Sequence, residues 1–395
     1  MTWTQKKKSI PISNMVGHSA QRPMLIGRAP GVPGFEFEPI ELFGAAARCS
    51  HLHWLDPSLV TIESTMFSSM IAPHVDDHSD PFFFLPSADN FKDFMKSGFA
   101  GSVAQGLAYL AMTRDNYSWV DHFENLSGGA TGSGRAPDFV FGGYDHGVAL
   151  MESKGTRSAS ATAFDATVRD GYTGQVEPHL GRMIGGALAN HGYCIGASMH
   201  TSIHADLIVH HTAVPAKRDE EDGQPRDGLG TVQRGNFATA FGLAHSRILG
   251  EAIRGGDRRL DYIPFIRFQW RGRDWLTSWV VDGFSSGPGL FHDHYDLFPP
   301  YEERWERRVA RHIGGYAIEE DVALRVLDAY LGDDPVRAGE EAVLDIPTFH
   351  GARRDYEGET ADGAIFPDGL AILGRDPKVR RVRPGVWDRA TRQLL

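Results

Sequence analysis

Two short apolar runs near the middle of the chain each carry charged residues at one end, in APDFVF at 136–141 and in GVALMESKG at 147–155. Both predict β-strands, and the turn between them is rich in Gly, Asp and His, which favours an antiparallel hairpin. Because side chains alternate between the two faces of a strand, Glu152 and Lys154 share one face of the second strand. Asp138 opens the first strand, and we expect it to reach the same face.

Helical periodicity, with apolar residues at three- and four-residue steps, predicts helices on both sides of this hairpin. A long helix is expected from 88 to 112, and a helix or helix pair from 157 to 190, interrupted around 171–174. Further along the chain the pattern predicts strands at GYCIGASMHTS and ADLIVHHTAV, a helix at GNFATAFGLAHSRILGEAI, and a strand pair at YIPFIRFQW and WLTSWVVDG.

The two ends of the chain give weaker patterns. Residues 1–85 have frequent Pro and Gly, which predicts an irregular extension with short strands such as FEFEPIELF and a helix near 57–70. Residues 286–395 predict a mainly helical extension, with helices at YEERWERRVARHIGGYAI and 319–331 and a short strand at GLAILG. A core at 86–285 would lie between these extensions.

Composition restricts the class of protein. The chain of 395 residues contains two cysteines, Cys49 and Cys194, too few for a disulfide framework or a cysteine-based zinc site. It has no run of about 18 apolar residues and no apolar stretch after the basic residues near its start. The expected location is the reducing cytoplasm. P-loop, Rossmann and GxSxG patterns are absent, which argues against nucleotide hydrolysis by a P-loop, dinucleotide binding and a serine hydrolase.

The formal net charge of −11 argues against a protein that coats nucleic acid. Basic residues nevertheless cluster in two segments, at 254–273 and at 375–383. Each cluster fits a solvated face or a set of phosphate contacts equally well.

Pro137-Asp138 followed by Glu152-Ser153-Lys154 on a strand, turn and strand resembles the PD-(D/E)xK nuclease superfamily. The resemblance covers roughly residues 99–214, extending at most to 279. It implies an α/β fold, a mixed central β-sheet flanked by helices with a restriction-endonuclease-like core, and here N- and C-terminal elaborations. Members of the superfamily often carry a Gln on the helix after the lysine, a position that Gln175 can take.

The resemblance implies a Mg²⁺- or Mn²⁺-dependent endodeoxyribonuclease. Asp138 and Glu152 would hold the metal, Lys154 would assist the attacking water, and Gln175 would support the site. DNA is then the expected substrate and prokaryotic defence the expected role, with a homodimer or a partner subunit of a defence system as the expected assembly. Cleavage of DNA versus RNA, and endonuclease versus exonuclease action, stay open.

The residue types agree with this chemistry independently. Mg²⁺ prefers oxygen ligands and is commonly held by one or two carboxylates, with water and substrate phosphate completing its shell. Such a cation activates a bound water and neutralises charge in the transition state, and an ammonium beside it can stabilise the same charge. Gly155 follows the lysine, where the strand is expected to end and bare backbone would let a phosphate approach.

In the superfamily, the helix before the hairpin often contributes another acidic residue. The corresponding position on the predicted helix is Gln105, an amide, and Glu124 in the predicted strand YSWVDHFEN is the other candidate. A Gly- and Ser-rich segment, LSGGATGSGRAP, leads from there to Asp138 and predicts a flexible loop.

Two alternatives to an active nuclease stay open. Glu152 and Lys154 can form an ordinary salt bridge at a strand end, with Asp138 capping a turn in a structural or assembly subunit. The chain can also be a nuclease fold that has lost cleavage and binds nucleic acid or a partner protein, an alternative that Gln105 encourages.

Other histidines and aspartates cluster elsewhere in the chain. The residues at 74–80 have a composition that can bind a metal, but a polar surface loop is the expected structure there and at 291–296. The histidines of the strand region (His200, His204, His210 and His211) are expected on the polar face of half-buried strands, with metal ligation as the alternative.

Overall fold

The computed structural model describes residues 3–4, 6–19, 27–50, 65–127, 135–157, 160–199, 204–213, 228–255, 260–278, 315–332, 342–350, 363–374 and 377–395. All structural statements below concern these residues. They form two compact units. The first unit comprises the described residues up to Asn236 and a short segment that ends at Leu344, and the second unit contains the remaining described residues. The boundary at Asn236 falls within the helix Leu229–Ala244.

The first unit is built on a mixed sheet. Its strands are β1 (Lys8–His18), β2 (Gly34–Phe37), β3 (Trp119–His122), β4 (Phe139–Gly143), β5 (Gly147–Thr156), β6 (Met183–Ile184), β7 (Ala187–Met199) and β8 (Ala205–Thr212). The order across the sheet is β2-β1-β8-β7-β5-β4-β3, and β6 pairs with β7 beside this path. Two pairs are parallel, β1 with β8 and β5 with β7, and the others are antiparallel.

Helices pack against this sheet. They are α1 (Pro39–Cys49), α2 (described at 65–71), α3 (Asp93–Arg114), α4 (Phe123–Ser127) and α5 (Ala161–Gly171). Turns of 3₁₀ helix span Ala72–His74, Pro86–Asn90 and Glu177–His179, and a π turn spans Tyr172–Val176. Helix α3 packs on β5 and β7, while α5 and the π turn also contact β5 and β7. Strand β5 is parallel to β7, so the chain between them must cross over, and α5 supplies this connection.

Local sequence explains the beginning of α1 and its close packing on α3. Pro39 occupies the first turn, where its missing N–H costs nothing, and Glu38 and Glu41 cap each other's backbone reciprocally. Gly106 of α3 faces α1 so closely that a Cβ there would lie 3.0 Å from Leu42 Cδ1 and 3.1 Å from the Ala46 nitrogen. Glycine therefore allows the two helix backbones to approach.

The second unit contains an antiparallel sheet of order β12-β13-β11-β10-β9-β14-β15. Its strands are β9 (Tyr262–Trp270), β10 (Arg273–Thr277), β11 (Gly315–Glu319), β12 (Gly363–Ile365), β13 (Leu370–Leu373), β14 (Arg380–Asp388) and β15 (Gln393–Leu394). Its helices are α6 (Leu229–Ala244), which begins in the first unit, α7 (Arg247–Gly255) and α8 (Glu320–Leu331). One face of the sheet buries an apolar cluster that includes Phe268, Trp270, Trp275 and Val382.

The architecture is therefore α/β with a mixed central sheet and several helices, as the sequence predicts in outline. The hairpin β4–β5, the helix at 93–114, the strand pair β9–β10 and the helix at 320–331 all lie where the pattern expects them. The interruption near 171–174 is the π turn, which continues α5 without a break in the helical path. The restriction-endonuclease-like core stays a prediction.

Several local predictions were wrong. Residues 35–43 are not one strand, because β2 ends at Phe37 and Pro39 begins α1. The stretch 117–125 is a strand only to His122, after which α4 carries Glu124. The described residues after 315 form mainly strands, and GYAI belongs to β11 instead of a helix. Most of the helix predicted at 301–318 lies outside the described residues. The same holds for residues 57–64 of the helix predicted near 57–70.

The predicted three-part division at 85 and 285 differs from the two compact units. Strand β1 pairs with β8 inside the central sheet, so residues expected to form an extension belong to the same unit as the hairpin. No helix in the described part of the chain combines the length and apolar character needed to cross a membrane.

Candidate active site

The hairpin β4–β5 brings the predicted residues together at one end of the central sheet. Phe139 pairs with Met151 in the antiparallel ladder. Continuing this register by one residue puts Asp138, just before β4, across from Glu152 of β5. The turn between the strands ends at Gly147, whose φ of 70° favours glycine. On the other side of β5, Glu152 lies opposite Cys194 of β7. The hairpin is thus held on both edges.

Asp138 is linked to the second strand through Ser153. Its Oδ2 accepts hydrogen bonds from the Ser153 backbone N–H at 3.0 Å and from the Ser153 hydroxyl at 2.6 Å. The other carboxyl oxygen of Asp138 makes no hydrogen bond to a described residue. Ser153 therefore orients the Asp138 carboxylate and leaves one of its oxygens available.

Glu152, Lys154 and Gln175 form a connected set on the side of β5 that faces the π turn. The Lys154 ammonium donates to Glu152 Oε1 and, at 2.7 Å, to Gln175 Oε1. The amide nitrogen of Gln175 donates to the carbonyl oxygen of Ala136 at 3.0 Å. Gln175 thus connects the lysine to the segment that leads into Asp138.

One carboxyl oxygen of Glu152 is unsatisfied. The side chain is only 3% exposed, and Oε2 is buried without a hydrogen-bond partner among the described residues. A buried unsatisfied carboxylate oxygen is costly and calls for an explanation, such as an ion or a water at that position. A ligand bound at this cluster would contact this oxygen.

Two glycines determine how closely the helices approach this cluster. A Cβ on Gly171, the last residue of α5, would come within 2.8 Å of Cys194 Sγ and 3.0 Å of Lys154 Cε, so a larger residue there would require the Cys194 or Lys154 side chain to shift. A Cβ on Gly155 would lie 2.3 Å from the Ala100 carbonyl oxygen of α3. Helix packing therefore explains the glycine after the lysine, and α3 occupies the space from which a phosphate was expected to approach.

The site holds its carboxylates in a partly desolvated environment. Burial raises the pKa of Glu152 to about 7, the negative charge of Asp138 adds to the rise, and Lys154 opposes it. Burial also raises the pKa of Asp138, against the two hydrogen bonds from Ser153. Burial keeps the pKa of the Cys194 thiol well above its usual range, with Glu152 adding to the effect. Cys194 is accordingly an unreactive packing residue.

The donor set fits a hard divalent cation with two carboxylate ligands. Asp138 keeps one oxygen without a hydrogen bond, and Glu152 keeps Oε2 buried and unsatisfied. Within the described residues no group of three or more His, Cys, Asp or Glu side chains is arranged to hold a metal. A cation here would therefore take the rest of its shell from water and substrate oxygen atoms, as Mg²⁺ commonly does.

The other candidate residues are distributed as follows. Gln105 is half-buried on α3, without a described hydrogen bond, and Glu124 lies on α4. In the cluster at 74–80, Asp76 accepts from the Ser79 backbone and Asp80 pairs with Lys6, so these residues stabilise a loop. The cluster at 291–296 lies outside the described residues.

The strand histidines differ from expectation. His210 and His211 are buried, not placed on a polar strand face. His210 Nδ1 lies 2.8 Å from His18 Nε2, and its other ring nitrogen lies 3.3 Å from Asp165. These contacts satisfy the His210 ring without a metal. His204 is exposed, and His200 lies outside the described residues.

Sequence reasoning missed two residues that shape the site. The sequence pattern assigned no role to Ser153, the residue between Glu152 and Lys154, although a hydroxyl there is able to bond a neighbouring carboxylate. Gly171 was noted only as a helix interruption. Its role depends on the approach of α5 to β5 and β7, and no local signal identifies it.

The comparisons with known proteins leave the family open: no family model, no curated protein and no solved structure matches this chain significantly.

Proposed function

We propose that the chain is a divalent-metal-dependent nuclease of the PD-(D/E)xK type, which hydrolyses phosphodiester bonds in DNA. The observation that carries the proposal is the buried, unsatisfied Oε2 of Glu152, beside Asp138 and the Lys154 ammonium. Carboxylate oxygens left available in a desolvated site suit Mg²⁺ or Mn²⁺.

Each residue has a role in this proposal. Asp138 and Glu152 would bind the cation, which supplies Lewis acidity and a more acidic water when it is present. Lys154 would donate to the phosphate or to the attacking water. Gln175 keeps the ammonium in place through its carbonyl oxygen. Ser153 fixes the orientation of Asp138.

The biological setting follows only from the type of enzyme. A cytoplasmic enzyme of prokaryotic defence against foreign DNA, acting as a homodimer or with a partner subunit, is the setting we propose. The substrate class and the mode of cleavage are part of the same proposal.

A specific observation favours a second candidate function. Lys154 pairs with Glu152, and Ser153 satisfies one oxygen of Asp138, so the ammonium and one oxygen of each carboxylate have partners within the chain. A structural salt bridge in an assembly subunit, or a nuclease fold that binds nucleic acid without cutting it, would contain the same contacts.

The decisive experiment combines metal titration with a cleavage assay on the full chain. Plasmid and linear DNA are incubated with Mg²⁺ or Mn²⁺, and Mn²⁺ binding is measured in parallel on wild type, Asp138→Asn and Glu152→Gln. The nuclease proposal expects hydrolysis and Mn²⁺ binding that both variants lose. Metal binding without hydrolysis supports an inactive nuclease fold, and no binding supports the structural salt bridge.

A further inference from the structure

Three arginines lie exposed at the beginning of β14 in the second unit. Arg380, Arg381 and Arg383 are exposed, and none makes an ion pair or a side-chain hydrogen bond with a described residue. Arg383 also acts on the described carboxylate of Glu320: burial raises the pKa of Glu320, and Arg267 and Arg383 oppose that rise. We call these three residues the β14 arginine surface.

A bulge in the β14–β9 ladder creates this surface. The register shifts between Arg380 and Arg383, and Arg381 has a φ of 51°, a conformation that is uncommon for a residue with a side chain. In a regular strand, consecutive residues point to opposite faces, and one of two neighbouring arginines would point into the core. Here Arg380 and Arg381 are both exposed while Val382 enters the apolar cluster. The bulge redirects side chains, a known use of bulges near functional sites.

One cross-strand pair at this surface does not favour the stability of the sheet. Arg383 lies opposite Arg267 of β9, and like charges in register destabilise a sheet. Arg267 is neutralised by Asp274 at 3.1 Å and by Glu320. Arg383 has no such ion pair among the described residues. Arg383 is exposed without an ion pair to a described residue, so its guanidinium is available to an external anion.

We propose that the β14 arginine surface binds the phosphate backbone of duplex DNA. The choice of DNA as the ligand rests on the proposed function. Three cationic side chains spaced along one extended strand match the repeated negative charges of a polyanion better than the charge of a single small anion. The chain as a whole carries a net charge of −11, so non-specific attraction to DNA must come from local basic surfaces of this kind. The surface adds affinity without reading sequence, since phosphate contacts carry no base information.

The test uses full-length Glu152→Gln protein, in which no cleavage is expected, and measures equilibrium binding to a labelled duplex over a range of salt concentrations. The variant replaces Arg380, Arg381 and Arg383 with Gln. A matched control replaces Arg247, Arg325 and Arg392 with Gln, three arginines of the same unit that already pair with Glu251, Asp321 and Asp328. Both variants change the net charge equally. Thermal melting checks that each is folded.

We expect the β14 variant to bind duplex DNA on the order of tenfold more weakly or worse, with a salt slope reduced by about one for each phosphate that the surface no longer neutralises. The control should bind like its parent, and replacing the same three β14 arginines with Lys should restore most of the affinity, because charge is the main requirement. Equal binding by the β14 variant and its parent overturns the proposal. So does a parent that binds no duplex at low salt, or one that binds anionic vesicles but not DNA.

Failure of this proposal is separable from failure of the proposed function. Hydrolysis by the wild type with metal reports on the Asp138 and Glu152 site, and it is measured independently. DNA binding that depends on the β14 arginines, without any hydrolysis, would support the surface and contradict the nuclease.

Discussion

Gly171 lies directly against Lys154, and a Cβ at Gly171 would meet Lys154 Cε at 3.0 Å. The same Cβ would meet Cys194 Sγ at 2.8 Å, so an added methyl would require one of these two side chains to shift. The small size of this residue therefore sets the distance between the π turn, which carries Gln175, and the strand that carries Glu152 and Lys154.

We predict that Gly171→Ala displaces Lys154 from Gln175 and lowers metal-dependent cleavage by about tenfold or more, since misplacing a catalytic group by a fraction of an ångström is costly. Gly174→Ala is the matched control, because Gly174 lies three residues further along the same helical path, in the π turn, and a Cβ there meets nothing within 4 Å. Initial cleavage rates and thermal melting are measured for both. Equal activity of the two variants would show that the approach of Gly171 to Lys154 has no catalytic consequence.

The raised pKa of Glu152 makes a prediction about stability without metal. The carboxyl has a pKa of about 7 in the folded chain against 4.5 as its ordinary value. Between these values the folded state binds more protons than the unfolded state, so the free energy of unfolding falls as pH rises through this window. Below about pH 4.5 and above about pH 7 this group should add no further pH dependence.

Glu152→Gln removes this contribution, because an amide does not titrate. The variant should gain stability relative to wild type as pH is raised from about 5 to about 8, by roughly 1.4 kcal/mol for each unit of pKa difference. Chemical denaturation at both pH values in a chelator measures the gain. A difference between the two proteins that does not change with pH would place Glu152 in a solvated environment.

Metal binding should have the opposite pH dependence. A cation binds deprotonated carboxylates, so affinity for Mn²⁺ should rise with pH until Glu152 is ionised, near pH 7 in the metal-free chain. Isothermal titration at several pH values measures this rise, together with the release of protons on binding. Affinity that is constant across this range would argue against Glu152 as a ligand.

Ser153 should act as a positioning residue for Asp138. Ser153→Ala removes the hydroxyl that donates to Asp138 Oδ2 but keeps the backbone hydrogen bond. We expect metal affinity to fall by roughly 10- to 100-fold, as is usual when the partner of a metal ligand is lost. Ser153→Thr keeps a hydroxyl and should recover part of the affinity. Unchanged Mn²⁺ affinity in Ser153→Ala, with the fold intact, would remove this role.

Lys154→Ala should lose cleavage by about 10² to 10³ while it still binds metal, since the lysine stabilises charge and is not a ligand. Lys154→Arg should also be impaired, because a planar guanidinium does not fit the place of an ammonium between Glu152 and Gln175. Cleavage rates and Mn²⁺ titration are measured on the same samples. Full turnover in the Arg variant would contradict a positioned ammonium.

Much of the local structure could be predicted from sequence. The short apolar runs in APDFVF and GVALMESKG, with a turn rich in Gly and Asp between them, predicted the hairpin, and helical periodicity predicted α3 and α8. Because side chains alternate between the faces of a strand, Glu152 and Lys154 were expected on one face of β5, where they form an ion pair. We expected Asp138 to reach the same face, whereas its hydrogen bonds go to Ser153, the residue between Glu152 and Lys154.

The sequence did not reveal the contacts that depend on distant segments. Gly155 and Gly171 are required by the approach of α3 and of the π turn to β5, and these approaches involve residues far apart in the chain. The inclusion of β1 in the central sheet was missed because a parallel partner leaves no local turn signal. The raised pKa of Glu152 likewise depends on how completely its neighbours exclude water. Sequence by itself determined which residues carry charge and on which strand face they lie; only tertiary packing decided which of them are buried, paired or left with an unsatisfied oxygen, because burial is a property of the assembled layers.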